Sequence, residues 1–189
     1  MKEYHKIQTV FKRNPHTNFK TLLEGEFSLP EFEYLKNNQW VFTEKVDGTN
    51  IRVMFDGNAI KFAGKTDRAQ IPGQLVARLE SLFLSKLEMF KEMFPDGACL
   101  YGEGYGLKIQ SGGKYCQHQD FVLFDVKIDD WWLNRDSVED IAAKLSLDIV
   151  PIVGIGTLGT MIDQVRSGFA SRWGDFQAEG IVARPTAEL

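Results

Sequence analysis

The sequence predicts an α+β fold of antiparallel sheets with peripheral helices, and three observations carry that reading. Residues 40–46, 50–55 and 60–63 alternate β-branched or aromatic with polar side chains, and Asp56-Gly57-Asn58 joins the last two. Period-two alternation broken by a glycine turn marks a small antiparallel sheet. Over residues 73–94 apolar side chains recur at helical spacing (Leu75, Leu79, Leu82, Phe83, Leu87, Phe90, Phe94) until Pro95-Asp96-Gly97 stops them, which predicts the longest helix. Further strands are expected at 99–103, 121–128, 149–153 and 180–184, interrupted by helices near 137–145 and 158–169. Ser28-Leu29-Pro30-Glu31 has the pattern of a capping box with proline in the first turn, opening a short helix to about Asn37.

The chain has 189 residues, 43% of them hydrophobic. A chain of that length buries roughly 70% of the surface its unfolded form exposes, so disordered and collagen-like readings are excluded, and no disulfide or structural metal is needed. No run of about 18 apolar residues occurs and the first residues contain no apolar stretch, so a membrane span and a secretory leader are not expected and the cytoplasm is the default. Cys99 and Cys116 have no CxxC partner, and Cys116-x-His118 lacks two further ligands nearby, so ordinary thiols are expected. No repeat or Ser/Pro-rich linker breaks the chain, which reads as one domain over residues 1–189. The formal charge is −4, yet the first 20 residues hold Lys2, Lys6, Lys12, Arg13 and Lys20 against Glu3 alone. A basic leader on an acidic body can touch phosphates; a solvated strand and loop is the alternative.

Four short motifs stand in order. Lys45-Val46-Asp47-Gly48 lies between two predicted strands, Tyr101-Gly102-Glu103-Gly104 follows the long helix, Phe121 to Val126 comes next, and Glu179-Gly180-Ile181-Val182 lies near the end. Singly each is a turn or a strand; a K-x-D-G string alone reads as a β-turn. In this order they resemble the covalent nucleotidyltransferases, the superfamily of polynucleotide ligases and mRNA capping enzymes. Within it the stretches EKVDGTNIRVMF, GKTDRAQIPG, LYGEGYG, DFVLFDV and AEGIVARP are most similar to phage and viral RNA ligases of the type represented by the second T4 RNA ligase, from about Tyr4 onward.

The resemblance implies an α+β nucleotidyltransferase (ATP-grasp-like) domain with two antiparallel sheets flanking a nucleotide cleft. By position Lys45 is the nucleophile that attacks the α-phosphate of ATP and holds AMP as a phosphoramidate. A free lysine has a pKa of about 10.4, so such a site must favour the neutral amine. Asp47-Gly48 is expected to form the turn, Asp by bonding its own backbone and Gly by tolerating positive φ near phosphates. The resemblance gives Asn50 a contact to the α-phosphate or the 5′-phosphate end, with turn stabilisation as the alternative, and gives Glu44 the adenine amino group. It makes Glu179 a metal contact and places Glu103 at the ribose hydroxyls and the metal; Mg²⁺ (or Mn²⁺) takes a few carboxylates and fills its shell with phosphate and water oxygens. Phe124 matches the aromatic that stacks on the base and Val182 the apolar residue on its other face, with core packing as the alternative for both. Strict alternation turns Ile181, not Val182, to the face of Glu179, so a bulge or opposite-facing roles are open. Phe121 reads as core. Lys65 or Arg68 fills the family's basic position, Lys without arginine's bidentate fork. Lys108 and Lys114 flank Gln110-Ser111-Gly112-Gly113 as a nucleic-acid clamp or a charged loop.

Such ligases close with a strand bearing two lysines beyond the Glu-Gly-Ile-Val segment, and Pro185 to Leu189 leave no room for one. The expectation is therefore a shortened adenylyltransferase domain whose missing strand comes from a separate segment or whose activity is reduced. The implied reaction adenylylates Lys45 with ATP, passes AMP to a 5′-phosphate and seals it to a 3′-hydroxyl. Partners would be RNA, or DNA, strand ends and no membrane. The rival readings are a DNA ligase, a capping-type nucleotidyltransferase, or a nucleotide-binding remnant.

Overall fold

The computed structural model describes residues 3–187; Lys2, one of the cations counted above, and Glu188 and Leu189 lie outside them. In chain order the elements are β1 (Phe11–Arg13), β2 (Leu22–Phe27), α1 (Pro30–Leu35), β3 (Trp40–Glu44), β4 (Thr49–Phe55), β5 (Ile60–Ala63), α2 (Gly73–Phe83), α3 (Leu87–Met93), β6 (Ala98–Gly106), β7 (Gln119–Ile128), β8 (Trp131–Trp132), α4 (Arg135–Lys144), β9 (Ile152–Gly156), α5 (Leu158–Ser167) and β10 (Ile181–Pro185). They divide into two compact units, one built from the chain up to Tyr4, Lys45–Pro151 and Ala170–Glu179, the other from His5–Glu44, Ile152–Phe169 and the chain from Gly180.

The first unit is a five-stranded antiparallel sheet in the order β5-β4-β6-β7-β8. Alternation along β4 sends Ile51, Val53 and Phe55, each fully buried, to the face covered by α2, α3 and α4, where Leu75, Leu79, Phe83, Phe90 and Ile141 complete the core. Asn50 and Arg52 alternate onto the opposite face, opposite Glu103 and Tyr101 of β6. The expected long helix is interrupted by a 3₁₀ turn at Leu84–Lys86. On a straight helix Phe83 and Phe90 would stand about 10.5 Å apart along the axis; here their ring centroids are 6.2 Å apart and Phe90 also meets Phe55 at 5.6 Å. The break folds the second half back over the sheet, and the Lys86 ammonium donates to the Leu145 carbonyl beyond α4.

The second unit holds the three-stranded antiparallel sheet β10-β3-β9 and the ribbon β1-β2. Trp40 and Phe42 of β3 pack with Leu35, Leu158 and Met161 from α1 and α5, and Trp40 Nε1 donates to the Leu35 carbonyl at 2.9 Å. Two expectations need correction. Ser28 does not cap α1: its hydroxyl donates to the Thr9 carbonyl and its amide to Val10 O, so the ribbon claims it, and Leu29 stands at the N-cap without a side-chain bond. The strand expected at 149–153 is split at Pro151. Ile149 bridges Leu123 in parallel and Val150 N–H donates to Leu123 O in the first unit, while β9 begins at Ile152 in the second. Among the described residues no helix is long and apolar enough to cross a membrane.

Arg52 is the largest fully buried side chain, and its guanidinium donates to Gly64 O at 2.9 Å and to Asp67 Oδ1 at 2.6 Å. It thereby fastens the 64–68 loop to β4. Because truncation leaves a polar pocket unfilled and the loop untied, Arg52→Ala is expected to destabilise the chain by about 3 kcal/mol, read by urea denaturation.

Candidate active site

The 45–48 turn starts where β3 ends and is held from within the first unit. Val46 is buried among Tyr105, Tyr115, Val122 and Val150, a satellite core on the face of the sheet opposite α2. Asp47 N–H donates to the Tyr115 hydroxyl at 3.1 Å, and Asp47 Oδ2 accepts from Ser111 N–H at 3.2 Å. Asp47 therefore does not close the turn on its own backbone, as the sequence suggested; it ties the turn to the 107–118 loop. Gly48 departs from expectation too. Its φ is not positive, and what demands glycine is proximity: a Cβ there would run into the Gly104 carbonyl and stand 2.9 Å from Glu103 Cγ.

Glu103 occupies the middle of this arrangement. On β6 it lies opposite Asn50 of β4 and Val122 of β7, while Gly102 and Gly104 turn to the core face, where a Cβ would strike Phe121 and Leu75 respectively. The two glycines let the strand pack tightly on one side while presenting a carboxyl on the other. Burial pushes the Glu103 carboxyl up to about 8; the Lys45 charge and the Gly48 amide oppose that rise, whereas Glu179 and Asp47 add to it. Lys45 Nζ itself donates to Glu179 Oε1, a contact between residues 134 positions apart. The Lys45 side chain is 50% exposed and that of Glu179 32%, so the ion pair contributes only about 0–1 kcal/mol to the fold. It fixes positions and is cheaply opened. One amine and three carboxyls thus converge from β6, the 45–48 turn and the segment before β10. Among the described residues no three such groups lie close enough together to hold a metal ion; Glu103 and Glu179 are the pair whose hard oxygens suit a divalent cation that fills its shell with phosphate and water. Asn50 Oδ1 is buried without a hydrogen-bond partner, an acceptor left open beside Glu103.

Phe124 lies on the same face. The β6–β7 register jumps from Gly102↔Leu123 to Tyr101↔Asp125, so Phe124 is the extra residue of a β-bulge. Its half-buried ring meets Tyr4 edge-on at 5.0 Å; Tyr4 also packs on Tyr101 and Trp132, and its hydroxyl donates to Asp125 Oδ2 at 2.5 Å. Phe121 is 2% exposed in the core, as expected. Lys65 and Arg68 are both exposed, Lys65 lying between the two residues that Arg52 holds. Lys114 Nζ sits over the Tyr115 and Phe176 rings at 5.4 and 5.0 Å, an occupied cation rather than a free clamp; Lys108 is exposed at φ 68°. Cys116 Sγ bonds the His118 carbonyl.

Glu44 and Val182 belong to the second unit. Glu44 is 1% exposed at the end of β3, on the strand face of Trp40 and Phe42 and opposite Ile181 of β10. Ile181 and Ala183 pack on that unit's core, so Val182 faces the other way, beside Thr43, whose hydroxyl donates to Val182 O at 3.1 Å. β10 pairs with β3 without a bulge, and Glu179 lies before the strand, in the first unit. Sequence reasoning missed Tyr4, Arg52, Ser111 and Tyr115. Only the Gly112-Gly113 pair hinted that the 107–118 loop folds tightly.

Glu103→Gln tests the half-buried acid. Its carboxyl rises from an ordinary 4.5 to about 8 in the fold, so the protonated form is favoured on folding: the stabilisation is full below the ordinary value and is lost as pH climbs through the raised one. Stability of the metal-free protein is expected to fall between those limits and Glu103→Gln to flatten the fall, in denaturant titrations across pH. Gly48→Ala forces β4 from β6 and is expected to cost about 1–3 kcal/mol in the same assay.

Comparison with known proteins places this arrangement. No curated protein sequence matches the chain. The structure is similar to Naegleria gruberi RNA ligase with PPi (TM-score 0.69, 19% identity, covering 82% of this chain and 49% of that one). A variant of the same ligase with ATP and Mn is similar at TM-score 0.68 and 21% identity, covering 82% and 48%. The chain thus spans about half the length of the solved structures it matches. The RNA ligase family model matches residues 38–189, from just before β3 through both Lys45 and Glu179, and the chain belongs to the RNA ligase family.

Proposed function

We propose that this chain is the adenylyltransferase part of an ATP-dependent RNA ligase, of the branch represented by the second T4 RNA ligase, with Lys45 as nucleophile. The observation that carries the reading is the Lys45–Glu179 ion pair beside the half-buried Glu103. Family membership and the ATP and Mn bound by the Naegleria ligase support it.

Glu179 holds the Lys45 side chain in place through their ion pair. Opening this half-exposed pair costs little, and the amine, once deprotonated, attacks the α-phosphorus of ATP: the N–P bond forms as the bond to the pyrophosphate oxygen breaks. Glu103 and Glu179 are the carboxylates to hold Mg²⁺ or Mn²⁺. When bound, the cation would neutralise triphosphate charge and favour the neutral amine. Asn50 lines the same face to meet a phosphate or ribose group, Lys65 supplies a point charge, and Phe124, turned by its bulge, offers a ring face to the base. Glu44 and Val182 are assigned the adenine amino group and an apolar contact by the family pattern. An RNA 5′-phosphate oxygen then attacks the AMP phosphorus as the P–N bond to Lys45 breaks, and a 3′-hydroxyl attacks the activated 5′-phosphorus, forming the phosphodiester as AMP leaves.

Incubation with α-labelled ATP and Mg²⁺ or Mn²⁺, followed by denaturing electrophoresis, is expected to show a covalent label that Lys45→Ala abolishes. Glu179→Gln should reduce the labelling rate on the order of a hundredfold while leaving the denaturation midpoint nearly unchanged. A label that survives Lys45→Ala, or one formed from GTP or NAD in preference to ATP, defeats the reading.

A further inference from the structure

Residues 4–23 contain no acidic side chain but carry Lys6, Lys12, Arg13 and Lys20. They lie before the segment matched by the family model, which starts at residue 38. Within the second unit this stretch shapes a concavity of about 420 Å³ lined by Lys6, Thr9, Lys12, Arg13, Phe19 and Ser28, among others. The volume falls in the range of small-ligand sites.

Phe19 is its most unusual member. The ring is 58% exposed, and the backbone stands at φ 60°, directly after Asn18 at φ 51°. A bulky residue in the left-handed region is uncommon and costs on the order of one rotamer-scale penalty or more, so it persists only where its surroundings impose it. Here they do. Phe19 N–H donates to Asn14 O at 2.9 Å, Asn14 N–H to Thr21 O at 2.9 Å, Asn18 N–H to Pro15 O at 3.1 Å, and the Arg13 guanidinium to Phe19 O at 3.0 Å. The loop holds an apolar ring out in water and ties the backbone beneath it to a cation. Core packing gives no reason for that, since the ring stays exposed.

We propose that this groove binds a single-stranded RNA segment, one base stacking on Phe19 while flanking phosphates meet Lys6, Lys12 and Arg13. Cations beside a fixed, exposed aromatic are the pairing that single-stranded nucleic acid calls for: charge tracks the backbone, and a ring accepts any base face. Lys12 is bonded to Glu26 at 3.3 Å, but both side chains are more than half exposed, so a phosphate can displace the carboxylate. An acidic peptide would use the cations and leave the ring idle. Choosing RNA over DNA rests on the function proposed above; the site itself does not. It would add affinity and a preference for ends with an unpaired extension.

The test is fluorescence anisotropy with a labelled single-stranded RNA bearing a 5′-hydroxyl and a blocked 3′ end, which cannot be adenylylated or joined, at about 50 mM and about 200 mM NaCl. Phe19→Ala is expected to weaken binding about tenfold, and Lys6→Ala with Lys12→Ala to weaken it and to lower the slope of log affinity against log salt by about 1 to 1.5. All three residues are exposed, and Lys45 labelling by ATP should be unchanged in both variants, which reports that they fold. Unchanged affinity in Phe19→Ala overturns the proposal, because the cations would then be acting as a nonspecific patch. So does unchanged affinity in the lysine pair. Binding that responds to Phe19 in a chain that ATP fails to label would leave this inference standing and defeat the ligase reading instead.

Discussion

The site depends on two backbones approaching without side chains between them. Gly48 meets the Gly104 carbonyl where a Cβ on Gly48 would not fit, and that contact brings the 45–48 turn down beside Glu103. From it follow the half-burial of Glu103, which lifts its carboxyl into the neutral range, and the reach of Lys45 toward Glu179. The same constraint explains why β6 reads Gly-Glu-Gly. Its glycines serve the packing of Phe121 and Leu75 on the reverse face, while the acid between them serves the front.

Two kinds of fastening surround that contact, and they differ in energetic weight. The outer parts are bound firmly: Val46 and Tyr115 in a satellite core, Asp47 by two hydrogen bonds to the 107–118 loop, Arg52 on the 64–68 loop. Lys45 and Glu179 are bound lightly, because a half-exposed ion pair is stabilised little in water. A rigid frame with loosely held chemistry is the arrangement expected where a ligand must replace internal contacts with its own.

Much of this could be read from the chain, and the failures have physical causes. Elements with long periodic patterns emerged where expected: β3, β4, β5 and the long apolar stripe, whose helical character held on both sides of the 3₁₀ turn. The turn itself was invisible, since a break that keeps apolar residues on one face leaves no trace in periodicity. The capping box at Ser28 failed because a tertiary partner, Thr9, competed for the hydroxyl. Lys45, Glu103 and Glu179 were identified through the order of motifs rather than any local signal, and the fold assembles them. What stayed hidden were the residues that hold them. Tyr4, Ser111 and Tyr115 act across distances of 64 positions or more, and a side chain that bonds another segment's backbone has no spacing rule to betray it.

The bulge at Phe124 has a consequence for how such chains can diverge. Because Phe124 is the surplus residue, losing it would leave Leu123, Asp125 and Val126 in plain alternation opposite Gly102, Tyr101 and Leu100, so the ring would go while Leu123 and Val126 stayed in the core. An added residue, by contrast, would widen the bulge and disturb the pairing on either side. Lineages of this domain should accumulate their insertions elsewhere, in the hairpin tips and in the stretch that precedes β3.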